Sequence, residues 1–182
     1  MRTRWILVVL MPVVATLAGL SGCRDRAVPG GSGHYWDGAP AGPEVVRAER
    51  ASEALSARFA SSHWTRQPCS LDMVDLGAPD AEVARADAHR LDGFLLAADG
   101  HPAGPFSVML KGPALYSAPA STGALRPDVA AYFGRPGLET AGFRLGLSLA
   151  AVPPGRYEIV FMMERPSGAS FCETGKQLRV VE

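Results

Sequence analysis

The chain has 182 residues, with 18 basic and 18 acidic side chains and a formal net charge of zero. That length accommodates one domain plus extensions, and 47% hydrophobic residues are enough to give the domain a packed core. The balanced charge and the lack of a basic run set aside nucleic acid as a partner, and also electrostatic adhesion to anionic lipid.

The chain opens with Arg2 and Arg4, followed by an apolar run from Trp5 to Leu20 broken only by Pro12, Thr16 and Gly19. Ser21, Gly22 and Cys23 come next. A positive start, a short apolar core and a small-residue exit are the three parts of a secretory signal. A spanning helix needs roughly 20 consecutive apolar residues, and Pro12 falls inside a shorter run, so residues 1–22 are expected to be cleaved. Leu20-Ser21-Gly22-Cys23 resembles the lipobox of bacterial lipoproteins. The resemblance implies a diacylglyceryl group on the Cys23 thiol, cleavage before Cys23 and acylation of the new amino terminus. Arg24 stands where Asp tends to retain such proteins in the inner membrane, which favours the periplasmic face of the outer membrane, although Asp25 follows. Two or more acyl chains hold a protein stably on a bilayer, whereas one does so only marginally. The signal carries two of the 18 basic residues and none of the 18 acidic ones, so the chain from Cys23 has a net charge of −2.

Residues 23–42 are dominated by Gly, Pro and Ala without apolar periodicity, as in a flexible linker. His34-Tyr35-Trp36 is the one aromatic cluster in it, suited to fold back on a nearby surface. Residues 43–66 read as an amphipathic helix and a connector. Pro43 suits a first turn, charges alternate from Glu44 to Arg58, and Ala51, Leu55 and Phe59 recur every four residues. The narrow apolar stripe is expected to pack on the following domain.

Residues 67–182 change to short runs of period two bounded by Gly and Pro. The expected strands are Ser70–Leu76, Arg90–Ala97, Phe106–Lys111, Ala114–Ala118, Phe143–Leu149, Arg156–Met163 and Gln177–Val181. Phe106, Val108 and Leu110 share a face, as do Phe143, Leu145, Leu147 and Leu149, and Tyr157, Ile159 and Phe161. Turns fall at Asp99-Gly100, Gly112-Pro113, Pro153-Pro154-Gly155 and Ser167-Gly168. About seven short strands without crossover helices point to an all-β, antiparallel sandwich rather than a doubly wound fold. Between strands, Arg126–Gly134 reads as a short helix, with Pro127 early, Asp128 at the positive end and Gly134 as terminator. Val129 and Phe133, four apart, would plug one end of the sandwich.

Cys69 and Cys172 form an even pair in a chain bound for an oxidising compartment, which favours a disulfide over a metal site or a reactive thiol. Closing so long a loop stabilises by about 4 to 5 kcal/mol in the chain-entropy account.

A second resemblance rests on Arg126-Pro-Asp-Val-Ala, Tyr132-Phe133, Ala141-Gly142-Phe143 and Pro153-Pro154-Gly155-Arg156-Tyr157, in that order. This series is similar to an immunoglobulin-like β-sandwich module of bacterial envelope and polysaccharide-associated proteins. The chain departs from it at Gly93-Phe94, where that family often has Gly-Trp. The resemblance implies a fold and a setting, and no activity.

No Gly-x-Ser-x-Gly elbow, paired-His motif or phosphate loop occurs. Asp72 and Asp75 are three apart and read as flanking a strand, while His89, Arg90 and Asp92 read as a solvated strand edge. Arg126 and Asp128 are the candidate ligand contacts, set against a purely structural reading in which Arg126 bonds carbonyls and Asp128 caps the turn. Tyr116, Tyr132 and Tyr157 would offer stacking surface to a sugar, against a core or rim role. The expectation is a non-catalytic, membrane-anchored envelope lipoprotein without cofactor or metal, binding or assembling with an envelope protein or polysaccharide. The alternatives are a glycan- or peptidoglycan-acting hydrolase and a structural subunit of an envelope export complex.

Overall fold

The computed structural model describes residues 44–65, 67–166 and 168–182. The segment expected to be a signal, the expected lipidation position Cys23 and the expected linker with His34-Tyr35-Trp36 lie outside the described residues.

The strands in chain order are β1 (Val45–Arg47), β2 (Glu49–Arg50), β3 (His63–Trp64), β4 (Cys69–Val74), β5 (Ala81–Ala84) and β6 (Ala88–Leu95). They continue with β7 (Pro105–Lys111), β8 (Leu115–Ser121), β9 (Gly142–Ser148), β10 (Gly155–Arg165) and β11 (Gly168–Val181). Helix α1 spans Glu53–Ser61 and α2 spans Pro127–Phe133, with a 3-10 turn at Pro136–Leu138. The protein is thus mostly β, built as two packed sheets. The first has the order β1-β9-β6-β4. The second runs β2-β8-β7-β10-β11, with β3 and β5 both on the outer edge of β11.

The expected period-two faces form the core between the sheets. Phe106, Val108, Leu110, Phe143, Leu145, Leu147, Leu149, Tyr157, Ile159 and Phe161 are all buried in one cluster. At its centre the rings of Phe106, Phe143 and Phe161 meet edge to face, with centroids 5.1 to 5.4 Å apart. Gly93 lies beneath this triad. A Cβ there would sit 2.1 Å from the Ser70 carbonyl oxygen and 2.7 Å from the Phe143 ring, so only glycine admits both neighbours.

Residues 43–66 are not one helix and connector. Val45–Arg47 pairs parallel with Gly146–Ser148 of β9, and Glu49–Arg50 pairs antiparallel with Tyr116–Ser117 of β8. Ala48, fully buried, marks the point where the chain passes from one sheet to the other, its N–H bonded to the Ser148 carbonyl. β-Branched Val45 and Val46 suit a strand, and two sheet edges supply backbone partners that a helix would forgo. The helix begins only where Ser52 accepts a hydrogen bond from the Leu55 N–H. Its stripe does pack as expected: Leu55 and Phe59 cover Met109, Val160 and Met162 on the outer face of the second sheet.

The sheets are also mixed rather than wholly antiparallel, since β1–β9, β3–β11 and β5–β11 are parallel pairs. Strand β11 is far longer than Gln177–Val181. Thr174-Gly175, which looks like a turn, is a bulge within it: Val160 pairs with Glu173 and Ile159 with Lys176. Gly175 supplies the left-handed φ of 68°, and the Thr174 hydroxyl bonds the Ile159 carbonyl at 2.7 Å.

The disulfide joins Cys69 to Cys172 as expected, tying the first long strand of one sheet to the last strand of the other. Helix α2 ends at Gly134 in the left-handed conformation, as expected from Pro127 to Gly134. Val129 and Phe133 pack with Leu96, Leu138 and Phe94 in a small second cluster.

Candidate functional site

The candidate contacts Arg126 and Asp128 lie at the start of α2, against the outer face of the first sheet. Arg126 is the residue before the helix, with φ −138° and ψ 67°, and Pro127 opens the first turn. The Arg126 side chain donates from Nε to Asp128 Oδ1 at 2.8 Å and from Nη2 to Asp128 Oδ2 at 2.6 Å. This is a planar fork on a carboxylate. Its Nη1 donates to Asp72 on β4 at 2.5 Å, and the guanidinium carbon stands 5.6 Å from the Phe94 ring centroid. One buried guanidinium therefore clamps α2 to β4 and β6. The structural role foreseen for Arg126 is met by bonds to the carboxylates of Asp128 and Asp72. Burial opposes the Arg126 charge, but the hydrogen bonds and charges of Asp128 and Asp72 outweigh it and raise its pKa. The Asp128 carboxyl is held below its ordinary range, chiefly by its hydrogen bonds from Arg126.

Asp72 reaches this face through a bulge. Leu71 pairs with Gly93 and Met73 with Asp92, which leaves Asp72 as the extra residue. The bulge keeps both Leu71 and Val74 in the core, three positions apart. The misfit of Asp72 and Asp75 with simple alternation has this origin.

Asp92 is not on a solvated edge. Strand β6 is central, between β9 and β4, and Asp92 is fully buried. Arg90 donates to it from Nε at 2.5 Å and from Nη2 at 3.0 Å, and Arg144 donates from Nε at 3.0 Å. Two guanidinium groups make burial of the carboxylate tolerable where one apolar neighbour would not. The outer face of the first sheet thus holds three carboxylates (Asp72, Asp92, Asp128) interleaved with three guanidinium groups (Arg90, Arg126, Arg144). Sequence reasoning missed Asp72 and Arg144 because their partners meet them only across the ladder.

His89 is also buried rather than edge-exposed. It lies 2.6 Å from an Asp75 carboxylate oxygen through Nδ1 and 2.6 Å from the Ala84 carbonyl oxygen through Nε2. This His–Asp pair therefore faces a backbone carbonyl where a nucleophilic hydroxyl would have to be. Among the described residues, no group of three His, Cys, Asp or Glu is arranged to hold a metal ion.

The three tyrosines divide. Tyr116 and Tyr157 are buried, with ring centroids 5.9 Å apart, and Tyr132 on α2 is 84% exposed. A shallow depression of about 300 Å³ lies at the bulge of β10 and β11, lined by Lys111, Glu158, Glu173 and Lys176. Lys111 and Glu158 are paired there at 2.8 Å, and that bond raises the Lys111 pKa.

No protein-family model matches the chain, and no curated protein matches it.

Proposed function

We propose that this chain is a lipid-anchored protein of the bacterial cell envelope, carried on the periplasmic face of the outer membrane. Its folded part is an immunoglobulin-like module with a binding or assembly role toward an envelope protein or polysaccharide. The cysteines carry the anchoring. Of the three in the chain, Cys69 and Cys172 are joined to each other, and Cys23 is the one left, at the end of the apolar run and inside the lipobox-like tetrapeptide. The disulfide itself belongs to an oxidising compartment.

Two features support the immunoglobulin-like reading. With β4, β6, β7, β8, β9, β10 and β11 read as A, B, C, C′, E, F and G, A-B-E lie together in one sheet and C′-C-F-G in the other. Tyr157 also stands near the start of β10, the F position, and its hydroxyl donates to the Pro153 carbonyl four residues upstream at 2.9 Å. This resembles the tyrosine corner of such sandwiches. The disulfide joins the A and G positions instead of the B and F positions used in antibody domains.

Labelling cells with radioactive palmitate tests the anchor. Wild type incorporates label and fractionates with the outer membrane, and Cys23→Ala does neither. Label persisting on Cys23→Ala would refute lipidation at this residue. The assembly role predicts a specific partner after mild crosslinking in intact cells, or retention on an envelope glycan array; failure of both would refute it.

A further inference from the structure

We propose that His89 is a proton-dependent pin: with the extra proton in place it ties the β4–β5 turn and the end of β5 to the first sheet, and loss of that proton to water releases the turn. The geometry is the argument. His89 is 6% exposed, so water does not substitute freely for its partners. Its two ring nitrogens each stand 2.6 Å from an oxygen, one of the Asp75 carboxylate and one of the Ala84 carbonyl. A carboxylate and a carbonyl only accept, so each nitrogen must donate, and only imidazolium carries two N–H groups. A neutral ring would satisfy one oxygen and set a lone pair against the other. The same proton count holds if the proton sits on Asp75 Oδ2 and is donated to Nδ1. In either form the pair binds one proton more than a carboxylate beside a neutral imidazole.

What the pin restrains is a backbone that L side chains adopt reluctantly. Asp75 (φ 50°) and Leu76 (φ 64°) are the only non-glycine residues of positive φ among the described residues, and they are adjacent. The turn is otherwise held by Asp75 Oδ1 accepting from the Arg90 N–H at 2.7 Å, the Asp75 N–H donating to the Arg90 carbonyl, and the Gly77 N–H donating to the Val74 carbonyl. Beyond the turn the chain leaves the first sheet, and β5 pairs with Leu178–Val181 of β11 in the second. His89 on β6 therefore links the two sheets at this end.

Among the described residues, Asp75 is the charged group bonded to the ring. Arg85, on the β5–β6 turn, donates to the Ala150 carbonyl and stands 3.5 Å from Glu182. Arg90, beside His89 on β6, is bonded to Asp92. Asp87 lies on the β5–β6 turn, and β9 sets Leu147 opposite His89. The pin holds while the His89–Asp75 pair keeps its extra proton and opens when a rise in pH removes it.

The test is made on the full mature chain in detergent micelles, from about pH 5 to about pH 9. Nitrogen-15 NMR of the ring is expected to show the fully protonated pattern, or a proton shared with Asp75, at every pH where the turn is protected. As that signal disappears, hydrogen exchange at the Asp75, Gly77 and Arg90 amides rises about tenfold beyond its intrinsic increase. In Asp75→Asn the carboxamide donates to a neutral ring, so the turn stays protected across the range and the pH dependence vanishes. A neutral ring with no shared proton in the protected state overturns the proposal. So does wild-type protection that does not change with pH, or Asp75→Asn retaining the wild-type dependence.

Discussion

Asp92 and Arg144 stand directly opposite each other across the β6–β9 ladder, the carboxylate fully buried and the guanidinium nitrogen 3.0 Å away. Arg90 closes on the same carboxylate from the other side. Removing Asp92 would take away the buried carboxylate to which both Arg90 and the largely buried Arg144 donate. Asp92→Ala is therefore expected to lower stability by about 3 kcal/mol, at the lower end for a broken buried pair because Arg90 can turn to solvent. Urea denaturation of the variant and wild type measures the difference. A loss below about 1 kcal/mol would mean that the pair matters no more than a surface bridge.

Acid should loosen the α2 clamp. The Asp128 carboxyl is held below its ordinary range by Arg126, so folding favours its ionised form. The contribution is fully present above the unfolded carboxylate value of about 4 and is lost as pH falls through the lower folded value. The Asp128 side chain is 43% exposed, so solvent screening keeps the contribution small. Asp128→Asn is expected to be slightly less stable than wild type at neutral pH and to lose less stability on acidification below about pH 4. Parallel unfolding curves down the acid limb provide the check.

Elements with a strict period and an unambiguous turn were legible in the chain itself. The faces of Phe106–Leu110, Phe143–Leu149 and Tyr157–Phe161 follow from alternation alone, and Arg126–Gly134 carries both a start and a stop signal. What failed depended on pairing. Glu44–Arg50 has the composition of a helix, and the free edges of β9 and β8 make it two short strands. Thr174-Gly175 has turn chemistry, and continuous pairing with β10 on both sides makes it a bulge within β11. Arg126 and Asp128 stand out in the sequence beside a helix start, but Asp72, bonded to the same guanidinium, lies 54 positions from Arg126. Asp92 looks like any alternating charge until Arg144 is brought opposite it.

Tyr157 separates packing from hydrogen bonding at the β9–β10 corner. Its ring packs in the core beside Tyr116, and its hydroxyl bonds the Pro153 carbonyl. Tyr157→Phe keeps the ring and removes only the bond, for an expected loss of about 1 to 2 kcal/mol. Burial pushes the phenol pKa up, so the hydroxyl remains a donor into alkaline solution. The variant's lost stability should be constant from neutral pH to about pH 9. A deficit that disappears within this interval would show that the hydroxyl is not donating as described.

Gly93 tests how tightly the two sheets are fitted. A methyl group at this position would meet the Ser70 carbonyl oxygen of the neighbouring strand at 2.1 Å and the Phe143 ring at 2.7 Å. The first contact is with backbone inside a sheet, which moves only if the β4–β6 pairing opens. The second would push Phe143 out of its contacts with Phe106 and Phe161. Gly93→Ala is therefore expected to cost about 3 kcal/mol or more, as overpacking does where neither neighbour can yield. Shortening the ring in Gly93→Ala/Phe143→Leu would relieve the second clash and leave the first, so the double variant should recover only part of the loss. Thermal unfolding of Gly93→Ala, Phe143→Leu and the double variant against wild type gives the cycle. Full recovery in the double variant would place the whole constraint on the Phe143 ring and none on the strand backbone.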